Sequence, residues 1–225
     1  MVEIDNLYLN FKRLKYGMDE WEELRSAVSN CTKCRLHEGR RHAVLGEGPL
    51  NAELMLIGEA PGAQEDMTGR PFVGAAGKLL NDMLGEAGLS RDRIYITNIV
   101  KCRPPNNREP LPDEEEACLP YLIRQIVLIR PRLAITMGKH SSAALLSMAG
   151  VRINGISEVR GRLRSIKVGD VELTVLPTYH PAAAIYNPRL RAAIVGDLRI
   201  AASFMSRRRS SILDFIEDEE HRSGH

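Results

Sequence analysis

The chain has 225 residues, enough to bury a full core as one α/β domain. Hydrophobic residues make up 44% and charged residues 27%, and no apolar run approaches the roughly 20 residues of a membrane-spanning helix, so a globular protein without membrane contact is expected. The formal charge is +2, but the last nine residues, EDEEHRSGH, hold four acids and one Arg; residues 1 to 216 carry 30 basic against 25 acidic groups, an excess that suits a polyanionic partner.

The first residues, MVEIDNLYLNFKRLKYG, mix charges throughout and lack the apolar stretch of a signal peptide, which predicts a cytoplasmic protein, expected to be a monomer. A helix is predicted from about Asp19 to Ser29. It is followed by a strand in AELMLIGE (52–59), a helix from about Gly74 to Ala87, a strand in RIYITNIV (93–100) and a helix from about Asp113 to Ile129. RLAITMG (132–138) reads as a strand leading into a short helix from His140. VRGRLRSIKVGDVELTVLPTYHP (159–181) reads as two strands about a Gly169-Asp170 turn, and Arg189 to Arg207 as a last helix.

Apolar, β-branched strands separated by helices predict a single α/β domain over residues 1–207, with a mostly parallel central sheet flanked by helices on both faces. Residues 208–225 form a charged tail. Sheets of this kind bind ligands beyond the carboxyl ends of their strands. GEAPG follows the first strand, Asn98 lies late in the second and His180 ends the last, so three distant stretches are expected to converge on one pocket.

Cys31 and Cys34 form a C-x2-C pair; Cys102 and Cys118 follow with fifteen residues between them, and these are all the cysteines of the chain. In an intracellular protein two local pairs read as four thiolate ligands of one metal centre rather than as disulfides. Zinc and an iron-sulfur cluster both fit the spacing. The cysteines tie the N-terminal helix to a distant loop and helix, which favours a structural role. Arg35, Arg40, Arg41 and Arg103 lie near enough in sequence to offset the charge of such a centre.

GEAPGAQEDMTGRPFVGAAGKLL (58–80) holds three carboxylates and five glycines between a strand and a helix. With TNIVKCRPPNNREP, the four cysteines and YHPAAA, it closely resembles the family 4 uracil-DNA glycosylases, the thermostable iron-sulfur type, from about Cys31 to Asp197. The resemblance implies the fold of those enzymes and an activity in base excision repair, hydrolysis of the N-glycosidic bond of deoxyuridine in single- or double-stranded DNA. It also implies a [4Fe-4S] cluster on Cys31, Cys34, Cys102 and Cys118. By the same resemblance Glu59 and Ala60 face the uracil, Phe72 stacks on it, Asn98 pairs with its polar edge and His180 lies against its O2 side.

These roles are chemically reasonable. A base in a duplex must be flipped out before it can react. An aromatic face recovers part of that cost, and a carboxamide of fixed orientation matches uracil's N3–H donor beside its O4 acceptor. A donor against O2 stabilises the negative charge of the departing base. In the best-known uracil glycosylases an Asp positions the attacking water; Ala60 stands at that place here. Glu59, Glu65 and Asp66 are the local replacements, and Glu65 is expected either to orient water or to hold Asn98 in its reading orientation.

YHPAAAIYNPRLR supplies a loop for the DNA, with Ile185 or Tyr186 as wedge and Arg189 and Arg191 on phosphates. In the tail, RSSILDFI places Ile212, Phe215 and Ile216 with the spacing of a sliding-clamp-binding peptide, although Arg209 stands where such peptides usually carry Gln. The loss of the motif Asp keeps a rival open: a non-catalytic iron-sulfur DNA-binding module like the N-terminal region of some phage-type DNA polymerases.

Overall fold

All five residues of the first strand, β1 (Leu54–Gly58), are buried. Alternation along the strand explains why none is polar: Met55 and Ile57 enter one apolar layer, Leu54 and Leu56 the other. The computed structural model describes residues 18–207. β1 is joined by β2 (Ile94–Asn98), β3 (Leu133–Met137), β4 (Arg164–Val168) and β5 (Val171–Thr178) in one sheet of order β2-β1-β3-β5-β4. Every pairing is parallel except that of the edge strand β4 with β5. The two meet at a two-residue turn, with Gly169 at φ 60 and Val168 opposite Val171, as the Gly-Asp pair predicts.

One face of the sheet is covered by α1 (residues 18–29), α4 (Pro112–Ile129) and α5 (Lys139–Ser147), through Trp21, Leu24, Leu122, Ile126 and Leu145. The other is covered by α3 (Ala75–Glu86) and α7 (Arg189–Ser206), through Leu80, Leu84, Ile194 and Leu198. Truncating any of these fully buried leucines to Ala costs about 2–5 kcal/mol in transfer and cavity terms. None of the helices among the described residues is long and apolar enough to cross a membrane.

Two short helices depart from the sequence reading. α2 (Ala63–Thr68) occupies what reads as a glycine-rich turn; it begins after Gly62 and stops at Gly69, whose left-handed φ of 71 lets its N–H reach Glu65 O at 2.8 Å. α6 (Pro181–Tyr186) occupies what reads as a loop; Pro181 sits at its first position, where the missing N–H costs nothing. Six-residue helices are too short to show an apolar period. The proposed clamp peptide, Ile212, Phe215 and Ile216, lies outside the described residues.

The order β2-β1-β3 means that the chain leaves β1 in one direction and returns on its other side. The carboxyl ends of β1 and β3 therefore open a crevice at the place where such sheets bind ligands.

Candidate active site

The β1–β2 ladder delivers two of the site residues together. Gly58 pairs with Asn98, and beyond the strand ends Ile99 N–H donates to Gly58 O (3.0 Å) and Val100 N–H to Glu59 O (2.9 Å). β5 ends two residues before His180. The result is a pocket of about 460 Å³ lined by Glu59, Ala60, Glu65, Phe72, Asn98, His180 and Tyr186. Three separate stretches of sequence thus share one wall. Pro104, Asn107 and Arg108 line it too, and sequence reasoning missed them. The PPNN run is a turn signal, but nothing in it shows that the turn faces the pocket.

Gly58 forms the floor. A Cβ there would lie 2.3 Å from Asn98 Oδ1 and 2.6 Å from the Phe72 ring, so only glycine lets the two side chains approach. Phe72 has φ 50, a left-handed conformation that costs a non-glycine residue about 1–2 kcal/mol. Its ring lies 5.8 Å from that of His180, tilted by 34°. Asn98 is 1% exposed, and its Oδ1 has no hydrogen-bond partner among the described residues. A buried acceptor left without a partner costs about 1–3 kcal/mol.

His180 caps α6. Its Nδ1 accepts the N–H of Ala182 at 3.2 Å, which places the proton of the neutral ring on Nε2. Burial pushes its pKa down to about 4, against a smaller upward pull from Glu65, so the ring is neutral at physiological pH and still a donor.

Glu65 corrects one expectation. It does not hold Asn98: Oε1 accepts the N–H groups of Val73 (2.9 Å) and Gly74 (2.8 Å), and Oε2 that of Gly62 (3.1 Å). Asp66 is likewise taken, by Arg41 N–H at 2.9 Å. Glu59 is the carboxylate left facing the pocket. Burial raises its pKa, opposed by His140, whose Nε2 lies 4.0 Å away. His140 is itself pushed up to about 9, first by its 2.6 Å hydrogen bond to Glu115 and then by the charges of Glu59, Glu115 and Glu109, so it is a cation at neutral pH.

Tyr186, which lines the pocket, is 88% exposed, and its neighbour Ile185 is 46% exposed. Arg191 is engaged by Glu86 of α3. Arg189 is the first residue of α7. Arg108 is held in a two-point pair by the fully buried Glu114 (2.7 and 2.8 Å), which fixes a cation on the pocket wall.

Apart from the pocket, Cys31, Cys34, Cys102 and Cys118 line a single cavity with Val28, Arg40 and Tyr121, and all four are free. Burial raises the thiol pKa of Cys34, Cys102 and Cys118, the last to about 11, and each is raised further by neighbouring cysteines. Arg40 donates to Cys102 Sγ (3.3 Å) and Cys31 O (2.8 Å), and Lys101 N–H to Cys118 Sγ (3.2 Å). Arg35 turns instead to Asp113, Arg41 gives only a backbone N–H, to Asp66, and Arg103 turns to Asn107. No group of three or more His, Cys, Asp or Glu among the described residues is placed to hold a metal ion. Four sulfurs lining one cavity, with a cation and an N–H donor behind them, are nevertheless a donor set that suits a metal–thiolate centre.

A family profile described as the uracil DNA glycosylase superfamily matches residues 45–199. A type-4 uracil-DNA glycosylase of Sulfurisphaera tokodaii is 51% identical over 183 residues, 81% of this chain and 83% of that protein. One of Saccharolobus solfataricus is 46% identical over 200 residues, 88% of this chain and 93% of that protein. A DNA polymerase of Bacillus phage SP01 is 30% identical over 178 residues, 78% of this chain but 18% of the polymerase.

Proposed function

The chain belongs to the uracil DNA glycosylase superfamily, with type-4 enzymes as its near relatives, and from that premise we propose that it extrudes uracil from DNA and hydrolyses the N-glycosidic bond, leaving an abasic site for base excision repair. The observation that carries this reading is the meeting of Phe72, Asn98 and His180 in one pocket, with Asn98 Oδ1 buried and without a partner among the described residues.

In this reading the flipped base stacks on Phe72. Asn98 Oδ1 accepts uracil N3–H while Nδ2 donates to O4; cytosine presents the opposite pattern and would leave both amide atoms facing their own kind. As the C1′–N1 bond breaks, its electron pair passes to the base, and the Nε2–H of neutral His180 stabilises the charge on O2. Water adds to C1′ and yields its proton to the Glu59 carboxylate, the pocket acid whose oxygens are not committed to backbone N–H groups. Glu65 orders the pocket wall, and Ala60 leaves room where the best-known enzymes carry Asp.

Tyr186 fills the gap left in the duplex, and Arg189, with Arg191 shared between phosphate and Glu86, holds the backbone. The four cysteines would hold a [4Fe-4S] cluster, which would supply structural cross-linking. RSSILDFI keeps its reading as a clamp-binding peptide, in which Phe215→Ala abolishes clamp pull-down and leaves cleavage of short oligonucleotides intact.

The test is incubation with a uracil-containing duplex followed by alkali. Strand breakage at the uracil is expected; none above a heat-killed control removes the glycosylase reading. The rival binding module is not favoured, because identity falls from 51% to 30% on passing from the glycosylases to the phage polymerase.

A further inference from the structure

Two residues distant from each other in sequence grip the turn that carries Phe72. Arg91, in the short 3-10 turn before β2, sends Nη2 to Pro71 O (2.7 Å) and Nη1 to Phe72 O (3.1 Å), with Asn81 Oδ1 of α3 as a third acceptor (3.0 Å). Glu65 takes the opposite side, accepting from Val73 and Gly74 N–H. Carbonyls are thus held by a cation and N–H groups by an anion, the two stronger kinds of hydrogen bond. The Arg91 side chain is only 22% exposed, and Glu47 lies 4.0 Å from it, balancing its charge.

Between the two grips Phe72 sits at φ 50, where a bulky side chain does not rest by preference. Its carbonyl is pressed on Gly77 of α3, where a Cβ would come within 1.9 Å of it, while its ring lies over Gly58 beside Asn98. If the turn relaxed to negative φ, the backbone would leave Gly77 and the ring would leave the floor. Ring placement is therefore decided by what holds the backbone of residues 71–74.

We propose that Arg91 is a positioning residue for base recognition: together with Glu65 it locks residues 71–74 in the left-handed turn that lays the Phe72 ring under the extruded base, in register with Asn98. The inference rests on the stacking role of Phe72 given above and adds to it the device that sets the ring. Stacking acts on bound substrate and transition state alike, so loss of the grip raises KM more than it lowers kcat.

The experiment is steady-state kinetics on a uracil-containing oligonucleotide for the wild type, Arg91→Ala, Phe72→Ala and the double variant, with thermal melts of each. Arg91→Ala is expected to raise KM about tenfold, the scale of one lost base–aromatic stack, with kcat changed by less than about threefold. In the Phe72→Ala background the same change is expected to move KM by less than about twofold, since the ring it serves is gone. Arg91→Lys, which keeps the charge and one donor, gives an intermediate KM and stands in should Arg91→Ala fail to fold. Asn81→Ala, which removes only the third acceptor, leaves KM unchanged.

An equal KM rise in both backgrounds, a comparable rise in Asn81→Ala, or no rise at all would overturn the proposal. A wild type that releases no uracil strikes the glycosylase reading instead, so the two failures are distinguishable.

Discussion

Gly58 and Asn98 stand opposite each other at the ends of β1 and β2, so close that a Cβ on Gly58 would lie 2.3 Å from Asn98 Oδ1. Gly58→Ala therefore pushes the amide and the Phe72 ring apart from below. We expect kcat/KM on uracil DNA to fall at least about tenfold, through misplaced rather than missing groups. A Gly58→Ala protein with wild-type kcat/KM would show that the floor tolerates the methyl group.

His180 gives a second prediction. With Nδ1 occupied by Ala182 N–H, the contribution proposed for it is a single Nε2–H donor to the leaving base. Removing one preorganised donor of this kind costs about 10²–10³ in kcat, so His180→Ala is expected to lose that much with KM little changed. A split the other way, with KM raised and kcat kept, would assign His180 to binding alone.

The same residue makes stability depend on pH. Burial holds the folded-state pKa of His180 at about 4, below its ordinary value of 6.5. Between these values the unfolded chain binds a proton that the folded chain does not, so this contribution is complete above pH 6.5 and is lost as pH falls towards 4. The loss approaches about 3 kcal/mol. Urea unfolding of wild type and His180→Gln at neutral and mildly acidic pH checks it: the variant is expected to lose less stability on acidification, and parallel losses would contradict the assignment.

Much of this was legible in the sequence for a physical reason. Strands buried on both faces must be apolar throughout, so AELMLIGE, RIYITNIV and RLAITMG announced β1, β2 and β3, and the ends of β1, β2 and β5 placed Glu59, Asn98 and His180 on one edge. What was hidden acts through the backbone. Arg91 reaches the carbonyls of residues 19 and 20 positions earlier, and Glu65 reaches N–H groups eight and nine positions later. Such contacts leave no mark in residue type, because every residue carries the groups being held. Arg108 was hidden otherwise: its loop reads as a polar turn, and only folding brings the buried Glu114 beneath it.

The cysteine cavity predicts a composition. Anaerobically prepared protein is expected to carry about four iron and four sulfide per chain, with a broad visible absorbance shoulder that bleaches in acid. Cys118→Ser, at a buried position where Lys101 N–H meets the sulfur, is expected to lose that colour and to unfold at lower temperature. One zinc per chain and no sulfide would replace the cluster with a mononuclear site.

If Glu59 is the base, as proposed, its pairing with His140 sets the acid limb of the pH–rate profile. Burial favours the protonated form of Glu59, and the cationic His140 opposes it. His140→Gln removes that cation while leaving Glu109 and Glu115 nearby, and both of these raise the Glu59 pKa further. The carboxylate proposed to take the proton of water is then ionised only at higher pH, so the acid limb of kcat/KM is expected to move upward. A pH–rate profile of His140→Gln superimposing on the wild type would show that Glu59 does not act as the base, and would return that role to Glu65 or to unassisted water.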